Sequence, residues 1–169
     1  PGLPIVGIEP ALKPAALQKE HPHVLVMATP MTVQQEKFRQ LMARYEDRAQ
    51  IYPLPCPGLM EFVEAGDLES ERLYDFLREL LTPYLTKPLD SVVLGCTHYP
   101  FARKVIQQIV GENVTIFDGG AGTAREMRRR LAAAGLLSPS ETAGTVTFEN
   151  SLATEEELEL CQRLLHMDI

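Results

Sequence analysis

Residues 91–100 of the chain read SVVLGCTHYP, and this stretch decides the fold class. Its apolar run at 92–94 contains two β-branched valines and is typical of a strand that is buried on both faces. The run ends at Gly95, and a thiol, a hydroxyl and an imidazole follow at 96–98 before Pro100, a residue typical of the first turn of a helix. We therefore expect this polar cluster at the carboxyl end of a buried strand, where open α/β sheets bind their ligands.

Strand and helix patterns alternate along the rest of the chain. Short apolar runs rich in β-branched residues predict further strands. These runs lie at residues 4–8, 24–28, 50–54, 114–117 and 145–148. Helical spacing of apolar residues separates them, for example in the segment that carries Leu73 and Leu77. The alternation predicts an α/β fold in which a parallel sheet of five or six strands has helices on both faces and right-handed crossovers.

Three threonines stand at the spacing of a capping box, in which a side chain accepts a hydrogen bond from the amide three residues further on. The pairs are Thr32 with Gln35, Thr123 with Glu126 and Thr154 with Glu157. Each pair predicts the beginning of a helix.

Composition and charge exclude several classes of function. The 169-residue chain has a formal net charge of −7, which opposes binding to a phosphate backbone, so we expect no nucleic-acid partner. No apolar run approaches the roughly 20 residues that span a bilayer, and residues 1–4 lack the charged start of a signal peptide. The three cysteines are odd in number and far apart, as in a protein whose thiols stay reduced. We expect a soluble, cytoplasmic protein with no membrane association.

Cys96 and His98 are the strongest candidates for chemistry. Residues two apart in an extended segment point the same way, and a neighbouring imidazole or helix amino terminus can promote the thiolate, which is the reactive form of cysteine. The alternative is a buried core cysteine beside a histidine in a turn. A metal site is not expected, because no second cluster of cysteine and histidine supplies the remaining ligands.

Other polar residues at predicted strand ends have two interpretations each. Thr29 and Thr32 could bind an anion together with the free amides of the following helix, or they could form only a turn and a helix cap. Cys56 could be a second thiol, but prolines on both sides favour packing in a turn. Glu64 is by default a solvated charge. Asp118 and the glycines after it lack the spacings of a P-loop and of a dinucleotide fingerprint.

The GCTHYP segment at residues 95–100 resembles the second cysteine motif of the glutamate racemase family. Further segments resemble family segments in family order. They are residues 6–10 with 13–16, 28–33, 56–57 with 63–66, and 118–120 with 123–125. The histidine at position 98 is informative, because aspartate racemases of the same superfamily usually have glutamate after the Cys-Thr pair. The resemblance therefore favours glutamate as the substrate.

This resemblance implies a racemase that needs no cofactor. In the family, two thiols act on opposite faces of the substrate Cα: one removes the proton, and the other returns a proton from the far side. Cys96 would be one of these thiols, assisted by His98 and Glu64. Three threonines would hold the carboxylate and amino groups of glutamate: Thr29, Thr32 and Thr97. The implied function is the interconversion of L- and D-glutamate, which supplies D-glutamate for peptidoglycan.

The resemblance also implies a domain organisation. Family members fold as two similar α/β domains with the site between them. The family's amino-terminal segments, including the Cys-Asn-Thr motif with the first thiol, are absent here. We therefore expect residues 1–117 to form the α/β domain with the second catalytic cysteine, and residues 118–169 to belong to the otherwise missing amino-terminal domain. Such a fragment would be inactive alone and would pair with the missing half or with a second copy of the chain, as a homodimer.

Two alternatives stay open on the sequence. One is another cofactor-independent enzyme of the superfamily, such as an aspartate racemase, or a decarboxylase or isomerase of a carboxylic acid. The other is a non-catalytic fragment that binds a carboxylate without turning it over.

Overall fold

A computed structural model of the chain describes residues 3–152 and 154–168. Pro1, Gly2, Ala153 and Ile169 lie outside the described residues. The expectation about a signal peptide at residues 1–4 and the two predicted domains, 1–117 and 118–169, therefore include residues that the structure does not describe. The strands are β1 (His23–Ala28), β2 (Gln50–Pro55), β3 (Ser91–Leu94) and β4 (Thr115–Asp118). The helices are α1 (Leu12–Ala16), α2 (Pro30–Gln34), α3 (Glu36–Ala43), α4 (Leu59–Glu64), α5 (Glu71–Leu85), α6 (Arg103–Val110), α7 (Gly120–Ala133) and α8 (Glu155–Leu165), with a 3-10 helix at Tyr99–Ala102.

Within the described residues, four strands form one parallel sheet in the order β2-β1-β3-β4. Leu25 of β1 lies opposite both Tyr52 of β2 and Val92 of β3. After β1 the chain therefore adds β2 on one side and then crosses to add β3 on the other side. This reversal creates a switch point between the carboxyl ends of β1 and β3, the place where sheets of this type bind ligands.

Side chains of the central strands alternate between two apolar cores, one on each face of the sheet. Leu25 and Met27 pack with residues of α4, α5 and α6. Val24 and Val26 pack with residues of α1 and α3. All four side chains are fully buried, which explains the unbroken apolar sequence of β1. The predicted α/β fold, a parallel sheet with helices on both faces, is confirmed.

Two segments with the composition of strands do not form strands. Residues 4–8 and 145–148 have no regular secondary structure, so the sheet has four strands instead of the expected five or six. Ile5 is 84% exposed, and Val146 is exposed as well. A β-branched composition only favours an extended backbone, and a strand forms where a neighbouring strand takes up its hydrogen bonds. Within residues 3–152 and 154–168, neither segment has a neighbouring strand.

Helix α2 begins one turn earlier than the capping pattern predicts. Its N-cap is Thr29, whose side chain accepts a hydrogen bond from the Thr32 amide at 3.2 Å. Pro30 follows immediately, and its fixed φ favours the first helical position, so the helix begins there. Gln35 has an extended backbone and separates α2 from α3. The prediction of Thr32 as the N-cap was therefore wrong.

The two other capping patterns have different outcomes. Thr154 accepts a hydrogen bond from the Glu157 amide at 3.3 Å and caps α8, as predicted. Thr123 lies inside α7, which already begins at Gly120. A capping pattern fixes a helix end only where the preceding residues do not extend the helix.

The chain divides into two compact units, which we call the sheet unit and the tail unit. The sheet unit is residues 9–119 and contains the four strands of the described part of the chain. The tail unit consists of the described residues in 1–8 and 120–168 and carries α7 and α8. Neither of these helices has a buried side chain. Large apolar side chains of this unit are exposed at Leu3, Ile5, Met127, Leu136, Val146 and Leu152. The division into residues 1–117 and 118–169 stays a prediction.

The pairing of β1 with β3 continues for one residue beyond β3. The amide of Gly95 donates a hydrogen bond of 2.8 Å to the carbonyl of Met27. A Cβ atom at position 95 would lie 2.8 Å from the same carbonyl oxygen, a distance that atoms reach only if something shifts. Glycine is therefore required here, and the backbone reaches Cys96 directly beside the end of β1.

We predict that Leu77→Ala lowers the free energy of unfolding by about 2–5 kcal/mol, the usual cost of a large-to-small change in a core. Leu77 is fully buried in α5. Leu85→Ala, at the exposed end of the same helix, is the matched control and should cost less than about 1 kcal/mol. Urea unfolding followed by circular dichroism measures both, and equal losses would contradict the described core.

We predict that Gly95→Ala destabilises the chain by about 1–3 kcal/mol, because the new methyl group would push against backbone. Gly122 in α7 has open space around its Cβ position, so Gly122→Ala should be neutral or stabilising by up to about 1 kcal/mol. Unfolding midpoints of the two variants test the difference. A neutral Gly95→Ala would show that the close approach to Met27 does not constrain this turn.

Candidate active site

The carboxyl ends of β1, β2 and β3 lie side by side at one edge of the sheet. Thr29 follows β1, Cys56 follows β2, and Gly95 with Cys96 follows β3. The amide of Cys56 donates to the Ala28 carbonyl at 2.9 Å. Both thiol-bearing loops are therefore attached to the end of β1, next to the switch point between β1 and β3.

Three side chains, two from the loop after β3 and one from the end of α4, form a continuous series at this edge. The sulfur of Cys96 lies 3.7 Å from Nδ1 of His98. On the other side of the ring, Nε2 of His98 lies 3.4 Å from Oε1 of Glu64. Cys96 follows β3, His98 immediately precedes the 3-10 helix, and Glu64 is the last residue of α4. The structure thus brings together the three residues that the resemblance groups as a thiol and its assistants.

This series allows a proton to move between the thiol and the imidazole. The side chains of His98 and Glu64 are 32% and 59% exposed, so their contact orients groups and adds little stability. A carboxylate on one ring nitrogen favours one tautomer of the imidazole and leaves the other nitrogen to face the sulfur. Cys96 can therefore lose or regain its proton beside a group that shares it.

Two threonines meet at the beginning of α2. The hydroxyl oxygens of Thr29 and Thr32 are 2.8 Å apart. One hydroxyl hydrogen is used in this contact, and the other is left to donate elsewhere. Thr97 lies between Cys96 and His98, and its side chain is exposed. Thr29 is the helix cap in place of the expected Thr32, and anion binding by the three threonines stays a prediction.

Cys56 has the environment of a packing residue. Its side chain is 2% exposed and its thiol donates to the Leu54 carbonyl at 3.3 Å. Burial raises the pKa of the Cys56 thiol to about 12, so this thiol is protonated near neutral pH. The structure therefore favours the packing interpretation of Cys56 over that of a second reactive thiol.

Tyr99 is a residue of this edge that the sequence patterns do not single out. Its side chain is fully buried, and its hydroxyl donates to the Cys56 carbonyl at 3.3 Å. Burial raises the pKa of the Tyr99 phenol, which keeps it as a neutral donor. The sequence could have indicated this residue by its position between a polar cluster and the beginning of a helix, because a large aromatic side chain at such a place packs into the core.

Arg103 and Asp118 form an ion pair that spacing along the chain does not reveal. Arg103 begins α6 and also donates to the Ile116 carbonyl at 3.1 Å. The pair ties α6 to the end of β4. Asp118 therefore has a charged partner within the chain, in agreement with its lack of phosphate-loop spacing.

The donor groups at the strand ends are a thiol, an imidazole, a carboxylate and hydroxyls. Among residues 3–152 and 154–168, no three His, Cys, Asp or Glu side chains come together as metal ligands would. In that same part of the chain, no helix is both long and apolar enough to cross a bilayer. All three cysteines are free thiols.

Curated relatives of the chain are longer than it is. A glutamate racemase of Clostridium perfringens is 52% identical over 165 residues, which are 98% of this chain and 64% of that protein. A glutamate racemase of Clostridium botulinum is 41% identical and matches 96% of this chain and 63% of its own length. The chain therefore spans somewhat less than two thirds of these relatives.

Solved structures share the fold. A glutamate racemase of Escherichia coli, in complex with L-glutamate and the activator UDP-MurNAc-ala, is 29% identical with a TM-score of 0.75 and covers 96% of this chain and 61% of its own. A Bacillus anthracis glutamate racemase is similar in fold, with a TM-score of 0.74, 23% identity and coverage of 100% of this chain and 64% of its own. Residues 1–127 match the family described as Asp/Glu/Hydantoin racemase. This match covers most of the chain, and Cys96 follows β3 within the segment that resembles the family's motif. The chain therefore belongs to the Asp/Glu/hydantoin racemase family.

Proposed function

We propose that this chain supplies one face of a glutamate racemase site. The observation that carries the proposal is the series from Cys96 through His98 to Glu64, at the carboxyl ends of the central strands. Two comparisons support glutamate as the substrate: relatives up to 52% identical are glutamate racemases, and the Escherichia coli relative was solved with L-glutamate.

In the proposed step, the thiolate of Cys96 takes the α-proton of glutamate. The Cα–H bond breaks, the S–H bond forms, and the electron pair stays on the carbon and spreads into the substrate carboxylate. An acid on the opposite face then returns a proton to Cα, which inverts the centre. His98 shares the proton of Cys96, and Glu64 orients the ring. The chemistry needs no cofactor, because the substrate's own carboxylate accepts the charge.

The threonine hydroxyls supply donors for the charged ends of the substrate. The pair formed by Thr29 and Thr32 has one hydroxyl hydrogen free to donate, and Thr97, which follows Cys96 in the chain, is exposed. Hydrogen bonds to the carboxylate become stronger as charge develops there, so these donors would stabilise the transition state more than the ground state.

The opposite face of the site has to come from elsewhere. Cys56 is buried, and its pKa of about 12 makes it a poor proton-transfer group near neutral pH. We therefore propose that the second thiol comes from another polypeptide, either an amino-terminal half that these 169 residues do not include or a second copy of the chain. The greater length of the relatives supports this. The isolated chain is then inactive.

The tail unit fits the same arrangement. Its helices α7 and α8 bury no side chain, and several of its large apolar residues are exposed. We propose that residues 118–169 pack on the missing domain or on a second copy.

The product, D-glutamate, would serve peptidoglycan synthesis. A cytoplasmic location is supported by the three free thiols.

We predict that Cys96 is alkylated by iodoacetamide near neutral pH at least about a hundredfold faster than Cys56, because the thiolate is the reacting species. Cys56 is buried with its pKa raised to about 12, and its protection should disappear in concentrated urea. Mass spectrometry of the separated peptides gives both rates. Equal rates in the folded chain would contradict the assignment of Cys96 as the reactive thiol.

We predict that mixing the chain with the amino-terminal third of the Clostridium perfringens relative restores exchange of the glutamate Cα proton in D₂O. Proton NMR follows the loss of the Cα signal. Cys96→Ala should abolish the exchange, and Cys161→Ala, on α8, is the matched control that should retain it.

The outcomes separate the possible functions. Exchange that survives Cys96→Ala would show that Cys96 is not the base. Exchange with another acid in place of glutamate would assign the chain to a different activity of the superfamily. Glutamate-dependent thermal stabilisation of the mixture without any exchange would indicate a non-catalytic carboxylate-binding protein.

A further inference from the structure

Four hydrogen bonds form a closed ring that joins the ends of three strands, and we call it the strand-end ring. The Gly95 amide donates to the Met27 carbonyl at 2.8 Å, and the Cys56 amide donates to the Ala28 carbonyl at 2.9 Å. The Tyr99 hydroxyl donates to the Cys56 carbonyl at 3.3 Å, and the Tyr99 amide donates to the Cys96 carbonyl at 3.3 Å. Peptide bonds between Met27 and Ala28 and between Gly95 and Cys96 complete the ring.

Tyr99 contributes the one side-chain link of the strand-end ring. The other three links join backbone groups, which every amino acid except proline provides. The Tyr99 ring is fully buried in the core formed with α4, α5 and α6, so its hydroxyl has a fixed direction. The loop after β2 and the loop after β3 are therefore connected through this hydroxyl and not only through β1.

The ring encloses the turn that carries the reactive pair. Because the Tyr99 amide bonds to the Cys96 carbonyl, residues 96–99 form a single turn whose far end is held by the phenol. The contact between the Cys96 sulfur and Nδ1 of His98 is 3.7 Å, close to the limit for a hydrogen bond to sulfur. A rotation of the turn that lengthens this distance would break the contact.

We propose that Tyr99 is a positioning residue: its hydroxyl, bound to the Cys56 carbonyl, holds the turn at residues 96–99 so that His98 faces the thiol of Cys96. The effect of Tyr99 on racemisation rests on the proposed function. Its effect on the reactivity of Cys96 does not, because alkylation of the thiol needs no substrate.

The test measures iodoacetamide alkylation of Cys96 near neutral pH in the full chain, with Cys161 as an internal reference for the reagent. Tyr99→Phe is expected to lower the rate at Cys96 by about threefold or more, the size of effect seen when coupled neighbours are separated. Tyr52→Phe is the matched control, since its hydroxyl also has a hydrogen-bond partner, at His23, the first residue of β1. It should leave the rate unchanged.

A double-mutant cycle distinguishes positioning from a general loss of structure. If Tyr99 acts through His98, His98→Asn lowers the rate in the parent chain and has little further effect in Tyr99→Phe. Additive effects would overturn the proposal, and so would an unchanged rate in a folded Tyr99→Phe. 4-Aminophenylalanine at position 99 restores a donor and should restore the parent rate. A rate equal to that of Tyr99→Phe would also contradict the proposal.

The remaining controls cover folding and turnover. If circular dichroism shows that Tyr99→Phe does not fold, 4-fluorophenylalanine at position 99 is used instead in every comparison. Its fluorine fills the space of the hydroxyl but cannot donate a hydrogen bond. In the complemented mixture, Tyr99→Phe should lower kcat for Cα exchange and change KM little. If no mixture exchanges the Cα proton, the racemase function is rejected. The positioning role stands in that case if Tyr99→Phe still slows the alkylation of Cys96.

Discussion

The parallel pairing of β1 with β3 is the constraint on which the rest of the structure depends. It extends one residue beyond β3 through the hydrogen bond from the Gly95 amide to the Met27 carbonyl, where a side chain at position 95 would not fit. Because β2 pairs with the other side of β1, the loops after all three strands meet at one edge. The thiol of Cys96 lies there as a direct consequence of strand order.

Burial gives the two nearby thiols different chemistry. Cys56 is enclosed by the core and stays protonated, with its pKa raised to about 12. Cys96 is only partly buried and faces an imidazole whose other nitrogen meets a carboxylate. Two cysteines at equivalent strand ends therefore divide into a packing residue and a candidate base, because desolvation penalises the thiolate of one and a polar neighbour is available to the other.

Local patterns predicted the parts of the site that lie close together in sequence. The spacing of Cys96 and His98 and the strand before them indicated a thiol and an imidazole facing each other just after a strand end, and the structure places the two side chains 3.7 Å apart there. By itself Glu64 had the pattern of a solvated charge, and the family resemblance implied only that it assists the thiol of Cys96. Strands expected at residues 4–8 and 145–148 failed, because composition does not reveal whether a partner strand is present.

The sequence by itself determined the fold class, the strand that precedes Cys96, and the family. These follow from apolar periodicity, from the change to glycine and polar residues where the apolar run ends, and from a motif of six residues, all of which are local. Only the tertiary structure decided that Glu64 meets His98, that Cys56 is buried, and that Tyr99 links two loops. Those contacts join segments that are distant in the chain, and their geometry is set by sheet order and core packing, which no local pattern encodes.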